Sequence, residues 1–279
     1  MDNLRGANAI VTGASRGIGV YIARALAAEG VNLALAARSV EELETVRAEM
    51  EALGVRAIAI RCDVAQAADR AELIRRTEAE LGSIDILVNN AGIERVARFD
   101  EALESDIVDT LTINLEAPML LTRAIVPGML ARKRGHVVNI ASGAGKVGIA
   151  YGSSYCASKH GLVGFTNALR SEYRGQPVGF SVVCPGFVTD VGIYDRWDRK
   201  GIHAPRIAGT SKPEKVAKVV LSCIRRNRAE VMVNTPPVRP LVVLANIAPS
   251  IVPGMLHRLG YSKVFERVMA QEVADAAGK

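Results

Sequence analysis

The sequence predicts an α/β fold: a doubly wound, seven-stranded parallel sheet with helices on both faces, followed by a C-terminal extension. Three observations predict it. Short apolar runs alternate with longer helical patterns along residues 1–233. Aromatic residues make up only 4% of a chain that is 49% hydrophobic, which suits strands of Ala, Val, Ile and Leu buried on both faces. The loops at Gly13, Asp63, Asn90, Ser142 and Pro185 all follow strand ends, so such a sheet carries them on one rim, where its ligands bind.

The first strand, 7–12, ends in Gly13-Ala14-Ser15-Arg16-Gly17-Ile18-Gly19, and an Ala-rich helix then runs to Glu29 and Gly30. With the second strand, 31–37, this makes a βαβ unit. Backbone N–H groups of a Gly-rich turn, backed by a helix N-terminus, hold a pyrophosphate, so the unit is Rossmann-like. Its spacing is G-x-x-x-G-x-G rather than G-x-G-x-x-G. The second strand ends in Ala37-Arg38-Ser39, where NAD sites place a carboxylate for the ribose 2′-hydroxyl. Arg38, Ser39 and the nearby Arg16 instead suit a 2′-phosphate through charge-assisted hydrogen bonds. The expected cofactor is therefore NADP(H).

The alternation continues with a helix over 41–53, a strand over 55–61 leading to Cys62-Asp63-Val64, and a helix over 67–81. A strand over 84–89 leads to Asn90-Ala91-Gly92. One or two helices span 101–134, with Pro118 near the start of the second. A strand over 135–141 precedes Ser142-Gly143-Ala144-Gly145. After a helix over 153–173 come a strand over 179–184, a loop from Pro185-Gly186, a helix over 213–227 and a last strand over 229–233.

The chemistry centres on Tyr155-Cys156-Ala157-Ser158-Lys159. Residues four apart stand one above the other on a helix, so Tyr155 and Lys159 share a face. A free phenol, with a pKa of about 10, is a poor acid at neutral pH, and a nearby ammonium lowers that value. The pair is a candidate proton donor with its tuner. The bland alternative is a helix-surface pair. Cys156 points about 100° away and is expected to pack.

Composition excludes several classes. The net charge of +6 is spread among 29 acids, and the short clusters 132–134 and 225–226 lack interleaved aromatics, so no nucleic-acid partner is expected. The four cysteines and four histidines show no metal-ligand spacing. The N-terminus enters a strand at once, with no room for a signal peptide, and a reducing, cytoplasmic setting is expected.

Taken together, Thr12-Gly13-x-x-x-Gly17-Ile18-Gly19, Asn89-Asn90-Ala91-Gly92, Asn114, Ser142, Tyr155-x-x-x-Lys159 and Pro185-Gly186-x-x-Thr189 resemble the short-chain dehydrogenase/reductase family over residues 5–233. The resemblance implies roles. Tyr155 is the proton donor or acceptor. Lys159 lowers its pKa and binds the nicotinamide ribose. Ser142 polarises the carbonyl, and Asn114 holds a water in a proton relay. Asp63 and Val64 meet the adenine, Asn90, Ala91 and Gly92 line the cofactor site, and Val188 and Thr189, after Pro185 and Gly186, contact the carboxamide. A homodimer or homotetramer is expected. The implied reaction is hydride transfer between NADP(H) and a lipophilic ketone or aldehyde and its alcohol. Two alternatives stay open: a 3-oxoacyl thioester reductase, and a silent NADP(H)-binding sensor or scaffold.

The chain departs from many thioester reductases after Val233, where Asn234-Thr235-Pro236-Pro237 and 42 further residues follow. Residues 241–256 carry no charge, are too few to span a bilayer, and contain Pro249 and Pro253. Residues 234–279 are thus an extension that packs over the cleft or a subunit, or anchors at a membrane surface through His257, Arg258, Lys263 and Arg267. The loop 190–211 holds Ile193, Tyr194, Trp197, Ile202 and Ile207, and with Val147, Ile149 and Tyr151 it can form an apolar pocket; Trp197 alternatively only pins the loop. Arg196 and Arg199 are candidate carboxylate clamps.

Overall fold

In a computed structural model, described for residues 1, 3–205, 208–248 and 250–277, seven parallel strands form one sheet in the order β3-β2-β1-β4-β5-β6-β9. They are β1 (Asn8–Thr12), β2 (Asn32–Ala37), β3 (Ala57–Arg61), β4 (Ile86–Asn89), β5 (Gly135–Ile140), β6 (Val178–Pro185) and β9 (Glu230–Val233). A two-stranded ribbon, β7 (Phe187–Val188) with β8 (Thr210–Ser211), lies outside the sheet. The chain winds from β1 outward to β3 and then returns to β4 on the other side of β1. That reversal opens a crevice beyond the carboxyl ends of β1 and β4.

Side-chain alternation splits the core between the two faces, because successive strand residues point to opposite sides. On β1, Ala9 and Val11 join one cluster with Ile22 and Leu26 of α1 (Ile18–Ala28), Leu43 and Met50 of α2 (Val40–Ala52), and Val216 and Val220 of α8 (Pro213–Arg226). Ile10 turns the other way, toward Leu73 of α3 (Ala67–Glu80) and Leu121 and Met129 of α5 (Ala117–Ala131). Two buried asparagines of the sheet are linked through their amides: Asn89 Nδ2 donates to Asn139 Oδ1 at 2.8 Å, and Asn139 Nδ2 to Thr166 Oγ1 at 2.9 Å, while Asn89 Oδ1 has no partner among the described residues.

The helical region expected over 101–134 is α4 (Glu104–Leu111), a π-helical turn (Thr112–Glu116) and α5 in direct succession. A π-turn is a local excess residue, and such turns concentrate at functional sites. Asn114 sits inside it, fully buried.

Sequence periodicity did not resolve three further features. The loop after β7 contains α7 (Gly192–Asp198). The tail forms α9 (Arg239–Ile247), α10 (Val252–Arg258) and α11 (Tyr261–Ala277). Finally, Val264, Phe265 and Val268 of α11 pack on Phe187, Tyr194, Trp197 and Ile202, a cluster separate from the sheet core. Its rings interlock, with Trp197 edge-on to Phe265 at 5.8 Å and Phe187 edge-on to Tyr194 at 5.0 Å. Ile207 and Pro249 lie outside the described residues.

Candidate active site

A cavity of about 810 Å³ runs along the crevice from the glycine turn to the aromatic cluster. Of the site residues expected from the sequence, all but Gly19, Asn114, Lys159 and Thr189 line it.

One end is shaped by the turn before α1. Gly13 and Gly17 have φ of 65° and 66°, a region that side-chain-bearing residues rarely adopt. A Cβ at Gly13 would stand 2.9 Å from Ala91 Cα, and one at Gly19 would collide with the Gly13 carbonyl. Gly19 therefore acts behind the wall, by letting the turn close. Gly17 caps α1 without a side-chain bond, so the first N–H groups of the helix keep their capacity for an anion. Arg16, Arg38 and Ser39 line the same end, with both arginines exposed. Asp63 and Val64 follow β3 on the adjacent wall. A cradle closed by missing Cβ atoms, an uncapped helix start and two guanidinium groups fits a phosphorylated dinucleotide.

Thr12 pins this end to the neighbouring strand. Its buried Oγ1 accepts from Asn90 N–H at 3.0 Å and from Ala91 N–H at 3.1 Å. Asn90 Nδ2 answers by donating to the carbonyls of Thr12 and Gly13, at 3.0 and 3.1 Å. Asn90 thus braces the glycine turn while also lining the cavity. Thr12→Val keeps the shape and strands two N–H groups, so denaturant unfolding should show a loss of about 2 kcal/mol. A change below about 0.5 kcal/mol would show that solvent satisfies those groups.

Tyr155 and Lys159 both lie on α6 (Ser153–Glu172), one turn apart and both buried. Tyr155 lines the cavity and is hydrogen-bonded to Ser142. Lys159 stands behind it: its Nζ donates to the Ile140 carbonyl at 3.1 Å and lies 5.7 Å from the Tyr155 ring centroid. A Cβ on Gly92 would come within 3.2 Å of Asn114 Oδ1, a tight approach, and 3.4 Å of Lys159 Nζ, an ordinary contact.

The geometry adds a constraint to each of two expectations. Burial, not the ammonium, dominates Tyr155 and pushes its phenol above the ordinary tyrosine range; the Glu94 carboxylate raises it further and the bond to Ser142 opposes both. Lys159 is itself pushed down to about 8 by burial, against Glu94, which raises it. Second, both amide hydrogens of Asn114 are in use, on the Ile93 carbonyl at 2.8 Å and Ser158 Oγ at 3.1 Å, while Oδ1 accepts from Ile93 N–H at 2.9 Å. A relay water would find only the second lone pair of Oδ1 on this side chain.

Thr189 turns away from the cavity: its hydroxyl donates to Asp190 at 2.9 Å and its N–H to the Ser211 carbonyl at 3.0 Å. Pro185, Gly186 and Val188 line the wall, and a Cβ on Gly186 would overlap the Asn234 side chain. Asn234 also lines the cavity, with its Oδ1 buried and unpaired among the described residues.

The other end is apolar. Val147, Ile149, Ile193, Tyr194 and Trp197 line it, as do Val238, Val242, Leu256, Tyr261 and Phe265 from the tail. Ile202 instead packs in the aromatic cluster, and Tyr151 bonds Glu266 Oε1 at 3.4 Å. Both candidate clamps, Arg196 and Arg199, reach the wall, and Arg199 is paired with Asp195 at 2.9 Å. The sequence reading missed Glu94, Asn234, Tyr261 and Phe265 as cavity residues. Glu94 follows Asn90-Ala91-Gly92-Ile93, so an acid in a loop at a strand end was the available signal; nothing local marks Tyr261 or Phe265.

Comparison with known proteins agrees with this geometry. A family model described as short chain dehydrogenase matches residues 7–199. The ketoacyl reductase HetN of Nostoc sp. is 42% identical over 238 residues, covering 85% of this chain and 82% of HetN. The 3-oxoacyl-[acyl-carrier-protein] reductase FabG of Staphylococcus aureus is 38% identical over 185 residues, covering 65% of this chain and 74% of FabG. The crystal structure of a metagenomic short-chain oxidoreductase in complex with NADP superposes with a TM-score of 0.71 at 36% identity, covering 83% of this chain and 97% of that one. The glycine turn at the sheet reversal and the tyrosine–lysine turn of α6 facing one crevice, in a chain so matched, place the protein in the short-chain dehydrogenase family.

Proposed function

We propose that the protein interconverts a lipophilic ketone or aldehyde and its alcohol, with NADP(H) as the redox partner. The observation that carries this reading is the continuity of the cavity: one space joins Arg16 and Arg38, the Tyr155–Ser142 pair and an apolar end lined by aromatic rings. Arg16, Arg38 and Ser39 bind the 2′-phosphate, and the α1 N-terminus binds the pyrophosphate. When bound, NADPH supplies the hydride that adds to the carbonyl carbon. Charge then builds on the carbonyl oxygen. Ser142 donates a hydrogen bond to that oxygen, and Tyr155 transfers its hydroxyl proton to it. Lys159 keeps a positive charge behind the phenolate that remains. Asn114 holds the segment after Gly92 through Ile93.

A pH dependence follows from Lys159. Its ammonium is the charged form, and burial has moved its loss down to about 8. The rate constant kcat/KM for NADPH, which reports the free enzyme, should therefore fall as pH rises through about 8. A flat profile from about pH 7 to about pH 9 would remove the cation from the mechanism.

A second reading, reduction of a 3-oxoacyl thioester, is favoured by the names of two relatives, HetN and FabG. A substrate panel of lipophilic ketones, aldehydes, alcohols and one 3-oxoacyl thioester, followed by NADPH absorbance, tests both. Preference for the thioester selects the second. Tight NADPH binding without turnover of any of them selects a silent sensor or scaffold.

Residues 1–233 are the catalytic domain in this reading, and the extension from 234 roofs its substrate end. Truncation after Asn234 should leave NADPH affinity within about threefold, while kcat/KM for bulky apolar substrates drops at least about tenfold. Equal losses on small and large substrates would refute the roof. Exposed Phe99, Leu103, Val108 and Met119 support assembly as a homodimer or homotetramer. Four unpaired thiols support a reducing, cytoplasmic setting.

A further inference from the structure

The helices that roof the cavity are apolar on their outer side as well. At about 100° per residue, Arg239, Val243, Ile247 and Leu244 fall on one arc of α9 about 140° wide, with Val238 and Val242 on the opposite side. The inner pair lines the cavity. The outer side is open: Val243 is 51% exposed, Leu244 42% and Ile247 77%, and the chain continues through Ile251 at 62% and Leu259 at 42%. A helix apolar all round is ordinarily covered on every side. Contiguous apolar patches of this kind on soluble monomers mark interaction sites.

Charge indicates the occupant. Between 234 and 271 the only acid is Glu266, partly buried beside the Tyr151 hydroxyl, and Glu272 and Asp275 follow only in the last turns of α11. The cations Arg239, Arg258, Lys263 and Arg267 are all exposed. Arg239 lies on the outer arc itself, so two copies meeting through it would bring like charges together, whereas an anionic lipid surface complements it. No helix among the described residues is long and apolar enough to cross a membrane, so the contact is one of lying on the surface. The position also has a consequence for access, since the same two helices that would touch lipid form the roof of an apolar cavity.

We propose that the outer face of α9–α10 docks on an anionic lipid bilayer, with Val243, Leu244, Ile247 and Ile251 entering the headgroup layer and the tail cations meeting lipid phosphates. Docking there sets the apolar end of the cavity beside the bilayer, so a lipophilic substrate enters without crossing water. The docking itself does not rest on the proposed chemistry.

Co-sedimentation of the full chain with vesicles tests it. Phosphatidylglycerol-containing vesicles should bind the protein at least about tenfold more strongly than phosphatidylcholine vesicles, and added salt should weaken binding. The pair Ile247→Asp with Ile251→Asp, and separately Arg258→Glu with Lys263→Glu, should each cut binding about tenfold or more, with the thermal unfolding transition unchanged. Absence of binding to the anionic vesicles, equal binding to both kinds, or binding untouched by the isoleucine pair overturns the proposal. So does an oligomer that the isoleucine pair converts to monomer, which would assign the face to a second copy of the chain.

Discussion

Tyr155→Phe should lower turnover at least about a hundredfold while NADPH binding and the unfolding transition stay close to wild type. The ring is buried between Ser142 and Lys159, and phenylalanine fills the same space, so packing survives. What disappears is the one hydroxyl that both lines the cavity and bonds Ser142. Burial raises the proton affinity of this phenol, which by itself works against proton release. The Lys159 ammonium behind the ring then favours the phenolate that the transfer creates. Single-turnover kinetics with the best substrate of the panel is the measurement. Near-normal turnover would mean that another group supplies the proton, and the proposed mechanism would be wrong.

Arg38→Asp should shift the cofactor preference from NADPH toward NADH, raising the Kd for NADPH about a hundredfold or more. Arg38 follows β2 at the position where a carboxylate would otherwise meet a ribose hydroxyl, and with Arg16 and Ser39 it lines the end of the cavity nearest the glycine turn. The substitution removes an attractive charge from the 2′-phosphate and introduces a repulsive one. Fluorescence titration with both nucleotides reads the change directly. Equal wild-type affinity for NADH and NADPH would sink the assignment of these arginines before any variant is made.

Much of the fold was legible because its determinants are local. Strands buried on both faces need continuous apolar runs, helices need Gly30, Gly54 and Gly82 as stops, and a pyrophosphate turn needs Gly13, Gly17 and Gly19 in a set spacing. The order β3-β2-β1-β4-β5-β6-β9 is one of the doubly wound orders that such alternation allows. Tyr155 and Lys159 were legible for the same reason, since one helical turn fixes their relation wherever the helix goes.

By itself, then, the sequence determined the sheet, the rim that carries the loops, the glycine turn with Arg16 and Arg38 beside it, and the tyrosine–lysine pair. Only the tertiary structure decided where charge and shape go. Lys159 points at the Ile140 carbonyl, the Glu94 carboxylate acts on Tyr155, and Asn114 spends its amide on Ile93 and Ser158, because each partner comes from a distant segment. The tail was the least legible part. Residues 241–256 are apolar without a helical stripe, so no periodicity told which side faces inward. The helix that follows them docks through Tyr261 and Phe265 on Phe187 and Trp197, more than sixty residues away in sequence, and contacts that remote leave no mark on the local pattern.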